Sequence, residues 1–233
     1  MTLPHKFKSK NSNKLIVVFQ SFNKKYYTPE YVHHFELENR FKDYNLNCDL
    51  LFVKDRIKRE WYLGDVSSNK KFLNDKVKNY QQVLFTGISA GGFASILYGS
   101  LLNVNLVIAI NPQTSLIDLS DNKTILPKDV PSILHQRKEY FDLKKFINTN
   151  TKYYLNGWLH NTLRTILPKS FNDIDIFNKD NINYENLSIS SKLHDIKNYQ
   201  HLSEFKNVHW LNFMVNGFKN GEFLQLLRDH NFT

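Results

Sequence analysis

Gln82-Val83-Leu84-Phe85-Thr86-Gly87-Ile88-Ser89-Ala90-Gly91-Gly92-Phe93-Ala94-Ser95-Ile96-Leu97-Tyr98-Gly99 decides the fold. The first five residues form a short apolar run with β-branched and aromatic side chains, the signature of a buried strand. The last seven read as a helix that buries most of its surface. Between them lies G-x-S-x-G, and strand, G-x-S-x-G, helix is the context a nucleophile elbow requires. A serine on so sharp a turn has a strained backbone, and side chains beside it would collide. Gly87 and Gly91 remove those side chains. Ser89 Oγ is then expected above the sheet at the positive end of a helix, with the Ala90 N–H aimed where an oxyanion forms. The plainer reading makes Gly87 a strand terminator and Ser89 a helix cap. A phosphate loop of the G-x-x-x-x-G-K-[ST] kind is excluded, because no lysine follows the glycines.

The 233 residues suit a single domain with a sizeable core. A hydrophobic fraction of 41% and an aromatic fraction of 14% are those of a globular chain. Cys48 is the only cysteine, so no intrachain disulfide and no cysteine-based metal site is expected. No metal and no cofactor is called for. The stretch 1–14 is basic and polar without an apolar core, and no run is long enough to span a bilayer. A cytoplasmic protein with no stable membrane anchor is the expectation. The net charge of +9 comes from lysines interleaved with Asn and Asp, with no nucleic-acid-binding signature, so nucleic acid is not an expected partner. An acidic glycan remains compatible with it.

Outward from the elbow, 14–19 and 105–110 are near-continuous apolar runs of the central parallel type, and 48–53 is a third. Gln20, Ser21 and Phe22 follow the first of these and are, by position only, the candidates for the second oxyanion N–H that a nucleophile elbow needs. Helices are expected over 29–44, 69–81, 196–205 and 221–229. Two adjacent histidines, His33 and His34, point to different helix faces and are not a metal pair. Asp55, Arg56, Arg59, Trp61 and Tyr62 leave the carboxyl end of a strand, where open α/β sheets place ligands. They suit a sugar or anion site, and equally an ordinary crossover with Trp61 and Tyr62 packed under the sheet. Gln113 sits at another strand end beside the elbow. Alternation fails over 115–185, which is expected to be a lid insertion carrying helical patches at 140–147 and 158–167. Strands at 187–193 and 208–213 complete about six, giving a doubly wound, mainly parallel α/β sheet.

VVFQSF, LFVKDRIKREWYLG, VLFTGISAGGFASILYG, AINPQT and a late Asp195 resemble the α/β-hydrolase superfamily. Within it they are similar to the small serine esterases and acyltransferases found beside bacterial capsule and surface-polysaccharide genes. The resemblance spans most of the chain outside the insertion, and the elbow is its specific part. It implies Ser89 as nucleophile, Asp195 as orienting acid, a histidine base, and an ester or acetylated sugar as substrate. The base belongs in the loop after the last strand, but 214–220 contains no histidine. His209, inside that strand, is the nearest candidate, while His194 and His201 flank the acid and His230 lies near the end. An alternative is a fold that keeps the elbow without turnover and binds a glycan or a partner protein. A weaker one is a nucleotide- or phosphate-binding module using the same helix start.

Overall fold

The computed structural model describes residues 3–22, 28, 33–56, 60–117, 134, 136–156, 202, 204–211 and 221–233. Seven strands form one sheet: β1 (His5–Lys8), β2 (Lys14–Phe19), β3 (Asp49–Val53), β4 (Gln82–Ile88), β5 (Leu106–Ile110), β6 (Lys152–Asn156) and β7 (Val208–Leu211). Their spatial order is β1-β3-β2-β4-β5-β6-β7. Every pairing is parallel except β1 with β3. The described helices are α1 (Glu38–Lys42), α2 (Val66–Val77), α3 (Ala90–Leu102) and α4 (Glu222–Asp229).

Alternating strand residues feed two cores. Leu15, Val17 and Phe19 of β2 pack with Phe72, Leu73 and Val77 of α2 and with Phe93, Ile96 and Leu97 of α3. Ile16 and Val18 face the other way, toward Phe41 of α1 and Phe223 and Leu227 of α4. Both faces are therefore covered, which is why the strands read as continuous apolar runs rather than alternating ones. The doubly wound α/β expectation holds.

The strand order locates the site. From β2 the chain moves outward to β3, then returns to lay β4 on the other flank of β2 and continues through β5, β6 and β7. The reversal between β2 and β4 opens a crevice at their carboxyl ends, the topological switch point where such sheets bind ligands. Ser89 and Gln20 emerge there.

Several expected elements change. β1 was not anticipated; it is a short antiparallel edge strand. The stretch expected to be a lid, 115–185, contains β6, which pairs with β5 from Leu106↔Lys152 to Ile110↔Asn156. Ahead of it, Leu116, Leu134, Phe141 and Leu143 are fully buried in the α2–α3 core. That part is interior rather than lid, because its apolar side chains complete the face of the sheet beyond α3. The helix expected over 140–147 is two 3-10 turns, Lys138–Tyr140 and Leu143–Lys145. Within 29–44 the described helix is only Glu38–Lys42. Asp65 caps α2 by accepting from Ser68 N at 3.0 Å, so that helix starts earlier than expected. The helix at 158–167, the strand at 187–193 and nearly all of the helix at 196–205 lie outside the described residues.

Candidate active site

Ser89 stands at φ 54° and ψ −118°, between the end of β4 and the first residue of α3. This conformation is sparsely populated for a side chain bearing Cβ and costs of order 1–3 kcal/mol. Two main-chain bonds hold it. Ser89 N–H donates to Ile110 O at 2.9 Å, and Ser89 O accepts from Phe93 N at 2.9 Å, starting the helix. The hydroxyl makes no capping bond to α3, so Ser89 is not serving as a side-chain cap.

The glycines are there because main chains touch. A Cβ on Gly87 would lie 2.8 Å from Phe19 O and closer still to the Gly91 carbonyl. On Gly91 it would lie 2.8 Å from Phe19 C, 3.0 Å from Gln20 O, and closer still to Phe19 O. The end of β2 thus packs directly on the first turn of α3. Ala90, fully buried, supplies a main-chain N–H at the start of that helix.

Of the three candidates for the second oxyanion donor, Gln20 is removed. Its N–H donates to Val53 O at 3.0 Å as an extension of the sheet. Ser21 N–H donates to Glu36 Oε2 at 3.3 Å, and its hydroxyl donates to the same oxygen. Phe22 remains, with its ring edge-on to Trp61 at 5.0 Å between centroids.

The cluster after β3 is largely internal. Asp55 is 2% exposed and accepts from Arg56 N at 3.0 Å and Tyr62 N at 2.9 Å. Burial pushes its carboxyl up to about 8, aided by the nearby Glu60 charge and opposed by those two N–H groups and by the Arg56 charge. Burial likewise raises Glu60. Arg56 donates through Nη2 to Asn69 Oδ1 at 2.8 Å, on α2. Tyr62 is fully buried, with its hydroxyl 2.8 Å from Gln20 O and 3.3 Å from Val53 O. Asp55 and Tyr62 therefore do not line a ligand surface; the crossover reading holds for them, since their polar atoms serve the chain itself. Arg59 lies outside the described residues.

Trp61 and Tyr62 both adopt left-handed backbone conformations, φ 52° and 61°. For bulky residues each such turn costs of order 1–3 kcal/mol. Trp61 is 6% exposed, with its ring also edge-on to Phe93 of α3 at 5.8 Å. Its indole N–H is buried without a hydrogen-bond partner. Three other buried atoms at these strand ends share that state: Gln20 Nε2, Asn111 Oδ1 and Gln113 Oε1. Asn111, at φ 47°, follows β5, and Pro112 packs toward Gly92 of the elbow helix. The sequence placed Asn111 and Gln113 here and took only Gln113 as a binding candidate; the Gln20 side chain was missed. The Asn-Pro step directly after a strand was the available signal for Asn111.

His209 is not at the elbow. It pairs with Tyr154, which pairs with Ile108, which pairs with Thr86 of β4. Three strand spacings of about 4.8 Å put it about 14 Å to the side of β4, and level with a residue well before the turn. Its ring lies tilted against Tyr154, 5.2 Å between centroids, and partial burial, then the Lys152 charge, lower its pKa. A strand-paired imidazole cannot swing over the sheet end, so His209 is not the base. His230 is excluded too. It contacts the Tyr154 hydroxyl at 3.2 Å, and its carbonyl accepts from Gln82 at the amino end of β4. Asp195, His194 and His201 lie outside the described residues. Among the described residues no cluster of three or more His, Cys, Asp or Glu is placed to hold a metal ion, and no helix is long and apolar enough to cross a membrane.

No protein-family model and no curated protein matches the sequence. Solved structures do. The capsule O-acetyltransferase of Neisseria meningitidis serogroup A overlaps 97% of this chain and 91% of its own, at 14% identity and TM-score 0.57. A glycosylation-associated protein complex (Gap123) of Streptococcus agalactiae matches at 15% identity and TM-score 0.47, covering 88% of this chain and 45% of that one. An α/β hydrolase from sediments of the Mar Chica lagoon, Morocco, matches at 11% identity and TM-score 0.48, covering 98% and 95%. The sheet order and the first of these overlaps agree: the chain shares with that O-acetyltransferase a doubly wound, mainly parallel α/β fold, α/β-hydrolase-like in placing a strained serine between β4 and α3.

Proposed function

We propose that the chain is a serine esterase or O-acyltransferase acting on an ester, an acetyl on a surface-polysaccharide sugar, through an acyl-Ser89 intermediate. The observation that carries this reading is the elbow: a strained serine whose hydroxyl does not cap its helix, held where main chain meets main chain. Ser89 Oγ attacks the ester carbonyl and gives its proton to an imidazole base. The oxyanion takes N–H bonds from Ala90 and Phe22. Collapse expels the alcohol, which leaves with the proton. Water then releases the acid, or a sugar hydroxyl accepts the acyl group.

The base is sought among the histidines beside Asp195, with Asp195 as the orienting acid. The unpartnered Gln20 Nε2, Trp61 Nε1, Asn111 Oδ1 and Gln113 Oε1 support a substrate rich in carbonyl and hydroxyl groups. The capsule O-acetyltransferase with the same fold supports a transferred acetyl group.

The test is labelling by a fluorophosphonate probe, with Ser89→Ala as control. Adduct on the wild type and none on the variant is expected. Equal labelling of both, or none on correctly folded wild type, refutes the reading and leaves a fold that binds without turnover.

A further inference from the structure

We infer that the Trp61–Tyr62 turn is a positioning device that braces the loop after β2 against α3, and so fixes the two halves of the oxyanion site relative to each other. The inference rests on the acyl-transfer reading for its catalytic consequence, but its structural content stands apart from turnover.

The turn reaches both halves. Toward the loop, the Tyr62 hydroxyl donates to Gln20 O at 2.8 Å. In a planar trans peptide the carbonyl and the following N–H point in opposite directions. Holding Gln20 O therefore fixes where Ser21 N–H points, and that N–H meets Glu36 Oε2 at 3.3 Å. The direction is one that accepts an anionic oxygen. One residue further on, the Trp61 ring bears on Phe22 itself at 5.0 Å. Toward the helix, the same indole bears on Phe93 at 5.8 Å, one turn after Ser89. Tyr62 O accepts from the Tyr98 hydroxyl of α3 at 2.6 Å.

The turn is itself held. Two consecutive bulky residues with positive φ do not persist without compensating contacts. Asp55 accepts the Tyr62 N–H at 2.9 Å, and Asn69 of α2 donates to Tyr62 O at 3.0 Å. The Tyr62 ring is edge-on to Phe19 at 5.5 Å, directly under the loop it tethers. A crossover that only filled space beneath the sheet would need neither the left-handed pair nor a phenol seated between the Gln20 and Val53 carbonyls, nearer the former.

The experiment is Tyr62→Phe in the full chain, which removes one hydroxyl and keeps the ring. Amide hydrogen exchange is read at Ser21, with Phe93 as internal reference, beside steady-state hydrolysis of p-nitrophenyl acetate. Expected are exchange at least tenfold faster at Ser21, whose N–H is held on Glu36, unchanged exchange at Phe93, and kcat reduced about tenfold with KM within twofold. Asp55→Asn, which leaves every ring in place, is the second variant and is expected to shift the same amide. Unchanged exchange at Ser21 in both variants overturns the inference, as does a uniform rise that includes Phe93. If wild type forms no Ser89 adduct, the functional reading falls, while the exchange result still decides the brace.

Discussion

Gly91→Ala tests the elbow at the point where the packing leaves least room. The new methyl would sit 2.8 Å from Phe19 C and 3.0 Å from Gln20 O, and nearer still to Phe19 O. All three atoms are main chain: Phe19 lies in a strand paired on both sides, and Gln20 just beyond it is tied to Val53 O, so none can rotate away. Relief requires β2 and α3 to part by roughly 1 Å, which forfeits a sizeable fraction of the contact energy along the seam. Overpacking of this kind costs about 3 kcal/mol at the upper end of its usual range, and the better helix propensity of alanine returns about 1 kcal/mol. The expected net loss is about 2 kcal/mol, or about 4–8 °C in Tm for a chain of this length. Gly99→Ala is the matched control within the same helix. There the methyl meets Val107 Cγ2 at 2.5 Å and Val104 Cγ2 at 3.3 Å, which are side-chain rather than main-chain atoms, so small shifts of two valines relieve the contact without parting strand from helix. Its expected change is within about 1 kcal/mol of wild type. Urea and thermal melts of the three proteins measure the difference, and fluorophosphonate labelling should slow at least tenfold for Gly91→Ala alone. A Gly91→Ala protein that melts with wild type, or a Gly99→Ala protein that is the less stable of the two, would refute the reasoning.

Three further outcomes follow from the same contacts. Asp55 titrates near 8 when folded, above its ordinary carboxyl value near 4, so the native state keeps a proton that the unfolded chain releases. Its contribution to stability is therefore full below about pH 4 and is lost as pH rises toward 8, at up to about 1.4 kcal/mol per pH unit. Asp55→Asn should flatten Tm against pH over that window; parallel curves for the two proteins would contradict the assignment. His209→Phe should keep Ser89 labelling at the wild-type rate, because the ring lies against Tyr154, far from the turn; loss of labelling in folded protein would restore His209 as base. Asp65→Ala removes the cap of α2 and should lower stability by about 1 kcal/mol in a urea melt, with no change in labelling.

The strands that surround the elbow were legible in the sequence because each is buried on both faces and carries an unbroken apolar run. β2, β4 and β5 fall within two residues of their expected ends, and β3 is equally clear. β1 was not legible: His5, Lys6, Phe7 and Lys8 pair on one side only and stay mostly exposed, so no burial pattern marks them. β6, Lys152–Asn156, is sheltered between β5 and β7 but sits in a stretch where Pro and amide residues break the periodicity, and it read as lid. At the site, Ser89 and its glycines were legible because their chemistry is local. The spending of the Gln20 N–H on Val53 was not, since it depends on which strand lies beside β2. Nor was the inward turn of Asp55 and Tyr62, because no local pattern announces two aromatic residues with positive φ.

The seam between β2 and α3 has a consequence for how such a site can diversify. Where one backbone rests on another with no side chain between, there is nothing for substitution to trim or enlarge. The spacing of Ser89 and the loop after β2 is set by the peptide unit itself. On the acyl-transfer reading proposed above, a change in what the site accepts must therefore be made in the neighbouring segments, after β3 and after β5, around a joint whose dimensions stay constant.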